Sequence, residues 1–182
     1  MEATRENTTR MGIKDYFETL LDVMRSPARH FANTAEENGS RKALLFLMIS
    51  GLFYCSVSMA YFFENSLAMG VVMMLNAILM PAFGAVITFI LIGMTGQERQ
   101  PFGRIFNIYA YASGTVMVIS WIPGLAIIME PVRAVLIGVG LHKGAGIGKL
   151  RAALLVVMTA VVMLLFFWSA APLVIELKNL FH

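Results

Sequence analysis

Glu130 and Arg133 stand out in this sequence because they place opposite charges within a long apolar stretch. Positions three apart share one face of a helix, so the carboxylate and the guanidinium can neutralise each other. Pro131 lies between them and removes one backbone N–H donor, which can open the helix locally. Ionisable groups at membrane depth commonly mark a site for an ion or a substrate. We therefore predict a candidate intramembrane polar site made of Glu130, Arg133 and Asn76.

A structural alternative exists for the same two charges. If both lie near the outer face of the membrane, just after the turn at 121–124, they would act as interfacial anchors. Residues 124–129 would then belong to the outer connection. A helix that begins at Leu125 would instead put Arg133 about halfway along it, and this would favour the binding site. Both alternatives stay open from the sequence.

Other catalytic or metal-binding patterns are missing from the sequence. The histidines His30, His142 and His182 lie far apart, and Cys55 is the single cysteine. The glycines of 144–149 resemble a phosphate-binding loop, but the spacing differs and the required Ser or Thr is missing. We therefore expect no enzyme activity, no catalytic residue, no metal ligand and no cofactor.

The composition places this chemistry in a membrane. Of the 182 residues, 58% are hydrophobic and 14% are charged, whereas soluble domains have about 45–50% and 25%. A water-soluble domain of this size cannot bury so much apolar surface. Ten-residue segments of alternating polarity, which are typical of β-barrels, are absent. We therefore predict an all-α, polytopic transmembrane helix bundle whose net charge of +3 reflects basic cytoplasmic loops, not nucleic-acid binding.

Five apolar stretches are long enough to cross a bilayer, which needs roughly 20 helical residues. The predicted spans lie at about 43–63, 70–94, 105–122, 125–141 and 152–175. They form a transmembrane domain, 43–175, between a polar N-terminal segment, 1–42, and an external tail, 176–182. Most of the polar side chains within the spans are expected to hydrogen-bond between helices. They are Asn76, Asn107, Tyr109, Tyr111, Ser113, Thr115, Ser120 and Thr159.

The distribution of basic residues predicts the orientation. With a cytoplasmic N-terminus, the inside segments 1–42, 95–104 and 142–151 hold twelve of the fourteen Lys and Arg residues, and the outside segments hold only Lys178. Basic loops remain on the cytoplasmic side, so we predict an N-in, C-out arrangement. A six-span arrangement would put the tail inside. A four-span arrangement, with 118–130 re-entrant, would put the basic 142–151 loop outside.

The N-terminal segment contains a predicted amphipathic helix at 13–25, which is too short and too charged to span a bilayer. Proline lacks a backbone donor, so Ser26-Pro27 ends this helix. The helix either lies in the cytoplasmic interface or packs on loops of the same protein. Its candidate docking face consists of Ile13, Phe17, Leu20, Leu21 and Met24.

Several short motifs follow one another in a specific order. They are Ser26-Pro27, Tyr111-Ala112, Ile122-Pro123-Gly124, and the Gly140–Gly144 stretch before Lys149. This order resembles the Ypt/Rab-interacting protein (YIP) family in its short prokaryotic five-helix membrane form, over roughly residues 15–172. The resemblance implies a five-helix bundle with a cytoplasmic N-terminus, in the cytoplasmic (inner) membrane of a prokaryote. It alone implies a small GTPase as partner, because eukaryotic members act in vesicle formation through prenylated GTPases.

We therefore predict an integral membrane protein of the YIP type that acts through protein–protein or protein–lipid contacts, as an adaptor, assembly factor or complex subunit. Its partners would be membrane lipids, other membrane proteins or further copies of itself. The alternative is a small transporter or channel that uses Glu130 and Arg133. A third possibility is a lipid-organising protein that works through the N-terminal helix alone.

Overall fold

The computed structural model describes residues 11–36, 39–62, 67–95 and 100–180, and the regular elements in these ranges are all helical. This confirms the all-α prediction for the described part of the chain. The helices are α1 (Ile13–Arg25), α2 (Pro27–Asn33), a 3-10 turn (Thr34–Glu36), α3 (Arg41–Phe62), α4 (Leu67–Met94), α5 (Phe102–Ser120), α6 (Pro123–Lys143) and α7 (Lys149–Leu180). Parts of the predicted segments lie outside the described residues, namely 1–10, 37–38, 63–66, 96–99 and 181–182.

Among the described helices, four are long and apolar enough to cross a membrane. They cover Arg41–Tyr61, Leu67–Met94, Gly124–Lys143 and Lys149–Ser169. The fifth long helix, α5, is not among these candidates, yet every residue from 105 to 117 is buried. A helix that faces other helices on most sides presents little surface to lipid, so it can carry more polar residues.

The long helices follow one another around a ring. α3 packs against α4, α4 against α7, α7 against α6, α6 against α5, and α5 against α3. α5 also packs against α4, and α1 covers a further part of its surface, so α5 contacts three long helices and the N-terminal helix. This arrangement explains why α5 is the most buried helix of the bundle.

Two glycines allow α5 to approach its neighbours closely. A Cβ atom at Gly84 of α4 would lie 2.7 Å from a ring carbon of Tyr109, and one at Gly114 of α5 would lie 2.8 Å from the ring of Phe46. Neither site has room for a larger side chain without movement. Small residues at such crossings let helix backbones pack in direct contact.

The two ends of the bundle differ in chemistry. The starts of α3 and α5 meet where Ser40 Oγ donates to the Gly103 carbonyl at 3.3 Å. Helices α1 and α2 pack at the same end, which we call the basic end. Its nine basic residues are Lys14, Arg25, Arg29, Arg41, Lys42, Arg104, Lys143, Lys149 and Arg151. At the far ends of α3 and α5, Tyr61 stacks on Trp121 with ring centroids 5.7 Å apart.

Candidate functional site

A cavity of about 450 Å³ lies among the five long helices, and each of them contributes residues to its wall. Glu130 and Arg133 of α6 line it together with Asn76 of α4. The structure therefore brings the three residues of the predicted polar site to one place. The remaining wall is largely apolar and includes Pro81 of α4 and Met163 of α7.

The charged pair lies near the middle of α6. The helix begins at Pro123 and continues without a break through Pro131, so residues 124–129 are helical and Arg133 is the eleventh of 21 residues. At about 1.5 Å per residue, Arg133 lies about 15 Å from the start of the helix. The sequence favours a binding site over an interfacial anchor if the helix begins by about Leu125, and α6 begins at Pro123.

Glu130 and Arg133 form an ion pair in which Arg133 Nη2 donates to Glu130 Oε2. The two side chains differ in exposure, which is 58% for Glu130 and 30% for Arg133. Both groups belong to the cavity wall, so the pair faces space that a ligand can enter.

Three buried hydroxyl groups form a second polar feature, which we call the hydroxyl cluster. Thr88 Oγ1 of α4 lies 2.5 Å from Tyr109 Oη of α5 and 2.8 Å from Thr159 Oγ1 of α7. Tyr109 and Thr159 line the cavity, and Thr88 joins them from behind its wall. The interhelical role expected for Tyr109 and Thr159 is confirmed. Thr115 and Ser120 instead donate to backbone carbonyls of their own helix, α5. Sequence reasoning missed Thr88, because one threonine in an apolar run gives no signal of its partners.

The apolar residues of α1 divide into two rows. The buried row packs against the bundle and consists of Tyr16, Leu20 and Val23. Tyr16 reaches into the bundle, where its hydroxyl lies 2.9 Å from Ser50 Oγ and its ring lies 5.0 Å from that of Phe46. The exposed row, with 44–81% of each residue accessible, consists of Ile13, Phe17, Leu21 and Met24. Four residues of the predicted docking face are therefore exposed, and Leu20 is buried in the bundle.

α2 places His30 against the centre of the bundle. The imidazole packs edge-on against the ring of Tyr111, with centroids 4.9 Å apart. Its Nε2 atom is buried and has no hydrogen-bond partner among the described residues. Burial lowers the pKa of His30 from its usual 6.5, and the nearby charge of Asp22 partly opposes this shift. At neutral pH the imidazole is therefore uncharged.

The described residues contain no group of three or more His, Cys, Asp or Glu side chains that could hold a metal ion. In comparison with known families, the family described as "Yip1 domain" matches residues 21–171. No curated protein and no solved structure matches the chain. The matched range includes the last five residues of α1, the hydroxyl cluster and the charged pair of the cavity.

Proposed function

This chain belongs to the Yip1 domain family, and we propose that it is a five-span membrane protein that works as an adaptor or complex subunit. In this proposal α1 lies in the cytoplasmic interface of the membrane, and its exposed row contacts lipid. The basic end then faces the cytoplasm and recruits partner proteins. The proposal includes no enzymatic reaction.

The packing of α5 supports five spans. Its start meets the start of α3 at Gly103 and Ser40, and its end meets the end of α3 at Trp121 and Tyr61. α5 therefore runs beside α3 along nearly the whole length of a candidate span. In this proposal, α5 accompanies a candidate span from end to end and crosses the same layer.

The charge asymmetry of the bundle supports a cytoplasmic basic end. Nine basic residues gather there, and loops rich in Lys and Arg remain on the cytoplasmic side of a membrane. The Tyr61–Trp121 stack lies at the other end, where aromatic residues commonly occupy the interface. By family resemblance, this membrane would be the cytoplasmic (inner) membrane of a prokaryote.

The observation that carries the proposal is the depth at which α1 is attached. Tyr16 bonds to Ser50, the tenth residue of α3, which lies about 14 Å from the start of that helix. The buried row therefore attaches α1 to the side of the bundle, below the level of the α3 N-terminus. An apolar row held at that level faces lipid headgroups and the ends of acyl chains, where it lowers the free energy of the interface.

Depth-dependent quenching tests this placement. Cys55 is replaced by Ala, and a single cysteine at Phe17 or at Glu18 carries an environment-sensitive dye in liposomes. Phe17 belongs to the exposed row, whereas Glu18 lies on the charged side of α1. We expect spin-labelled lipids to quench the dye at position 17 and to leave the dye at position 18 largely unquenched. Equal, weak quenching at both positions would overturn the interfacial placement.

The adaptor role itself requires a companion protein. Gentle solubilisation from native membranes, followed by mass measurement of the intact assembly, should yield a second protein in fixed stoichiometry. Recovery of only a monomer or a homo-oligomer would contradict the adaptor role and would favour the transport candidate below.

The cavity favours a second candidate function, a small transporter or channel. All five long helices line the cavity, and its charged pair lies near the middle of α6. Uptake of labelled small solutes into proteoliposomes tests this candidate. A flux that depends on Glu130 and Arg133 would support transport, and the absence of any flux would reject it.

A further inference from the structure

We propose that the cavity binds a zwitterionic group, that is, a ligand that carries both an amine cation and an acidic oxygen. This inference goes beyond the docking function of α1. It also names the ligand class of the cavity on which the transport candidate rests. The same chemistry occurs in two sources, the headgroup of a phospholipid such as phosphatidylethanolamine and a small soluble zwitterion.

The charges of the wall select the ligand class. Among the described residues, Glu130 and Arg133 are the two charged side chains that line the cavity, so its net charge is zero. A simple anion would interact with Arg133 but would also approach the carboxylate of Glu130. A simple cation would interact with Glu130 but would also approach the guanidinium of Arg133. A ligand with both charges can interact favourably with both groups at once, so it is the best match.

The hydrogen-bonding capacity of the pair supports the same choice. A guanidinium has five N–H donors, and the structure gives Arg133 one acceptor, Oε2 of Glu130. The remaining donors suit the paired oxygens of a phosphate or a carboxylate. Glu130 Oε1 remains available to accept from an ammonium group. The ligand can therefore bind both members of the pair without leaving either charge uncompensated.

The rest of the wall suits the uncharged parts of such a ligand. Asn76 contributes an amide, and Tyr109 and Thr159 contribute hydroxyl groups. The apolar remainder of the wall, which includes Pro81 and Ile137, can pack against methylene groups. A volume of about 450 Å³ falls within the range of about 300–1,000 Å³ typical of small-molecule sites.

Calorimetric titration of the purified protein, in detergent, tests the inference with three probes. These are dihexanoyl-phosphatidylethanolamine, dihexanoyl-phosphatidylglycerol with the same chains but only an anionic headgroup, and glycerophosphoethanolamine, which has the zwitterionic phosphodiester headgroup without chains. We expect the ethanolamine lipid to bind at least about tenfold more tightly than the glycerol lipid. Comparable binding by glycerophosphoethanolamine would identify a soluble source, and binding only with chains would identify a lipid. Equal affinity for the two lipids, or no binding of any probe, would overturn the inference.

A matched pair of variants locates the binding. Glu130→Gln with Arg133→Gln removes the charges of the cavity, and we expect it to weaken binding at least about tenfold. Lys14→Gln with Glu18→Gln removes an exposed ion pair on α1 and should leave binding unchanged. Undiminished binding by the cavity variant would place the ligand elsewhere and would refute the proposed site.

A third variant covers the case in which the cavity charges are needed for folding. Ala160→Phe adds bulk to the wall while the charged pair stays intact, and we expect it to weaken binding to a similar extent. Unchanged affinity in this variant would again refute the site.

Binding without uptake would reject the transport candidate alone. Loss of quenching at position 17 with intact binding would reject the placement of α1 alone.

Discussion

Thr88 and Thr159 are 71 residues apart in the chain, and their hydroxyl oxygens lie 2.8 Å apart in the centre of the bundle. This hydrogen bond joins α4 to α7, and Tyr109 extends it to α5. Thr88 and Thr159 are almost completely buried, at 0% and 3% exposure. The hydroxyl cluster therefore ties three helices together beside the cavity.

Thr159→Val keeps the shape of the side chain and removes its hydroxyl group. We expect the free energy of unfolding to fall by about 0.6–2 kcal/mol, because one interhelical hydrogen bond is lost. Equilibrium unfolding in mixed detergent micelles measures the change. Thr115→Val is the control, since the partner of Thr115 among the described residues is the Tyr111 carbonyl of its own helix. Equal losses in both variants would show that the contact between helices adds nothing.

Gly114→Ala is expected to separate α3 from α5. The added Cβ would lie 2.8 Å and 2.9 Å from ring carbons of Phe46 and 3.1 Å from Ser50 Oγ. Both neighbours are fully buried and have little room to move, so we expect a loss of about 1–3 kcal/mol in the unfolding free energy. Gly93→Ala, where no atom lies within 4 Å of the new Cβ, should not reduce stability. A stable Gly114→Ala protein would contradict this close packing.

Leu20 and Leu21 are neighbours in α1 but belong to different rows. Leu20 is 7% exposed and Leu21 is 44% exposed. We expect Leu20→Ala to destabilise the attachment of α1 to the bundle by about 2–5 kcal/mol. Leu21→Ala should change stability by less than about 0.5 kcal/mol. Limited proteolysis of α1 measures both effects, and equal cleavage of the two variants would contradict the assignment of rows.

The pKa shift of His30 predicts a loss of stability in acid. Its folded-state pKa is lowered, so the full stability is present above the unfolded-state pKa of about 6.5 and declines as pH falls below that value. Thermal unfolding at pH 8 and at pH 5 measures the decline. His30→Phe keeps an aromatic ring against Tyr111 and removes the titrating group. The variant should therefore lose part of this pH dependence, and an unchanged profile would assign it to other residues.

Much of the fold, and three residues of the cavity, can be predicted from the hydropathy and the isolated charges of the sequence. Glu130 and Arg133 are conspicuous in an apolar stretch, and Asn76 is a rare amide in another, so residue type and position are enough to select all three. Thr88 cannot be selected in this way, because its importance depends on contacts with Thr159 and Tyr109 on other helices. Such contacts depend on helix rotation, which the local sequence does not specify.

The N-terminal helix shows the same limit to what can be predicted from the sequence. Its periodicity indicates an apolar arc, but that arc includes both Leu20, which is buried, and Leu21, which is exposed. Which part of a wide arc meets the bundle depends on the position of Ser50 and Phe46 on α3. The sequence therefore predicts that α1 has an apolar surface to bury, and the structure shows which side of the helix packs against the bundle.

Attachment through Tyr16 couples the position of α1 to the packing of the bundle. Any force that lifts α1 outward must break the hydrogen bond between Tyr16 and Ser50 and must expose Val23, which is fully buried. The same Phe46 ring that packs on Tyr16 also packs on Tyr111, at a centroid distance of 5.5 Å. Two aromatic contacts therefore link α1, through Phe46 of α3, to α5, the helix that also carries Tyr109.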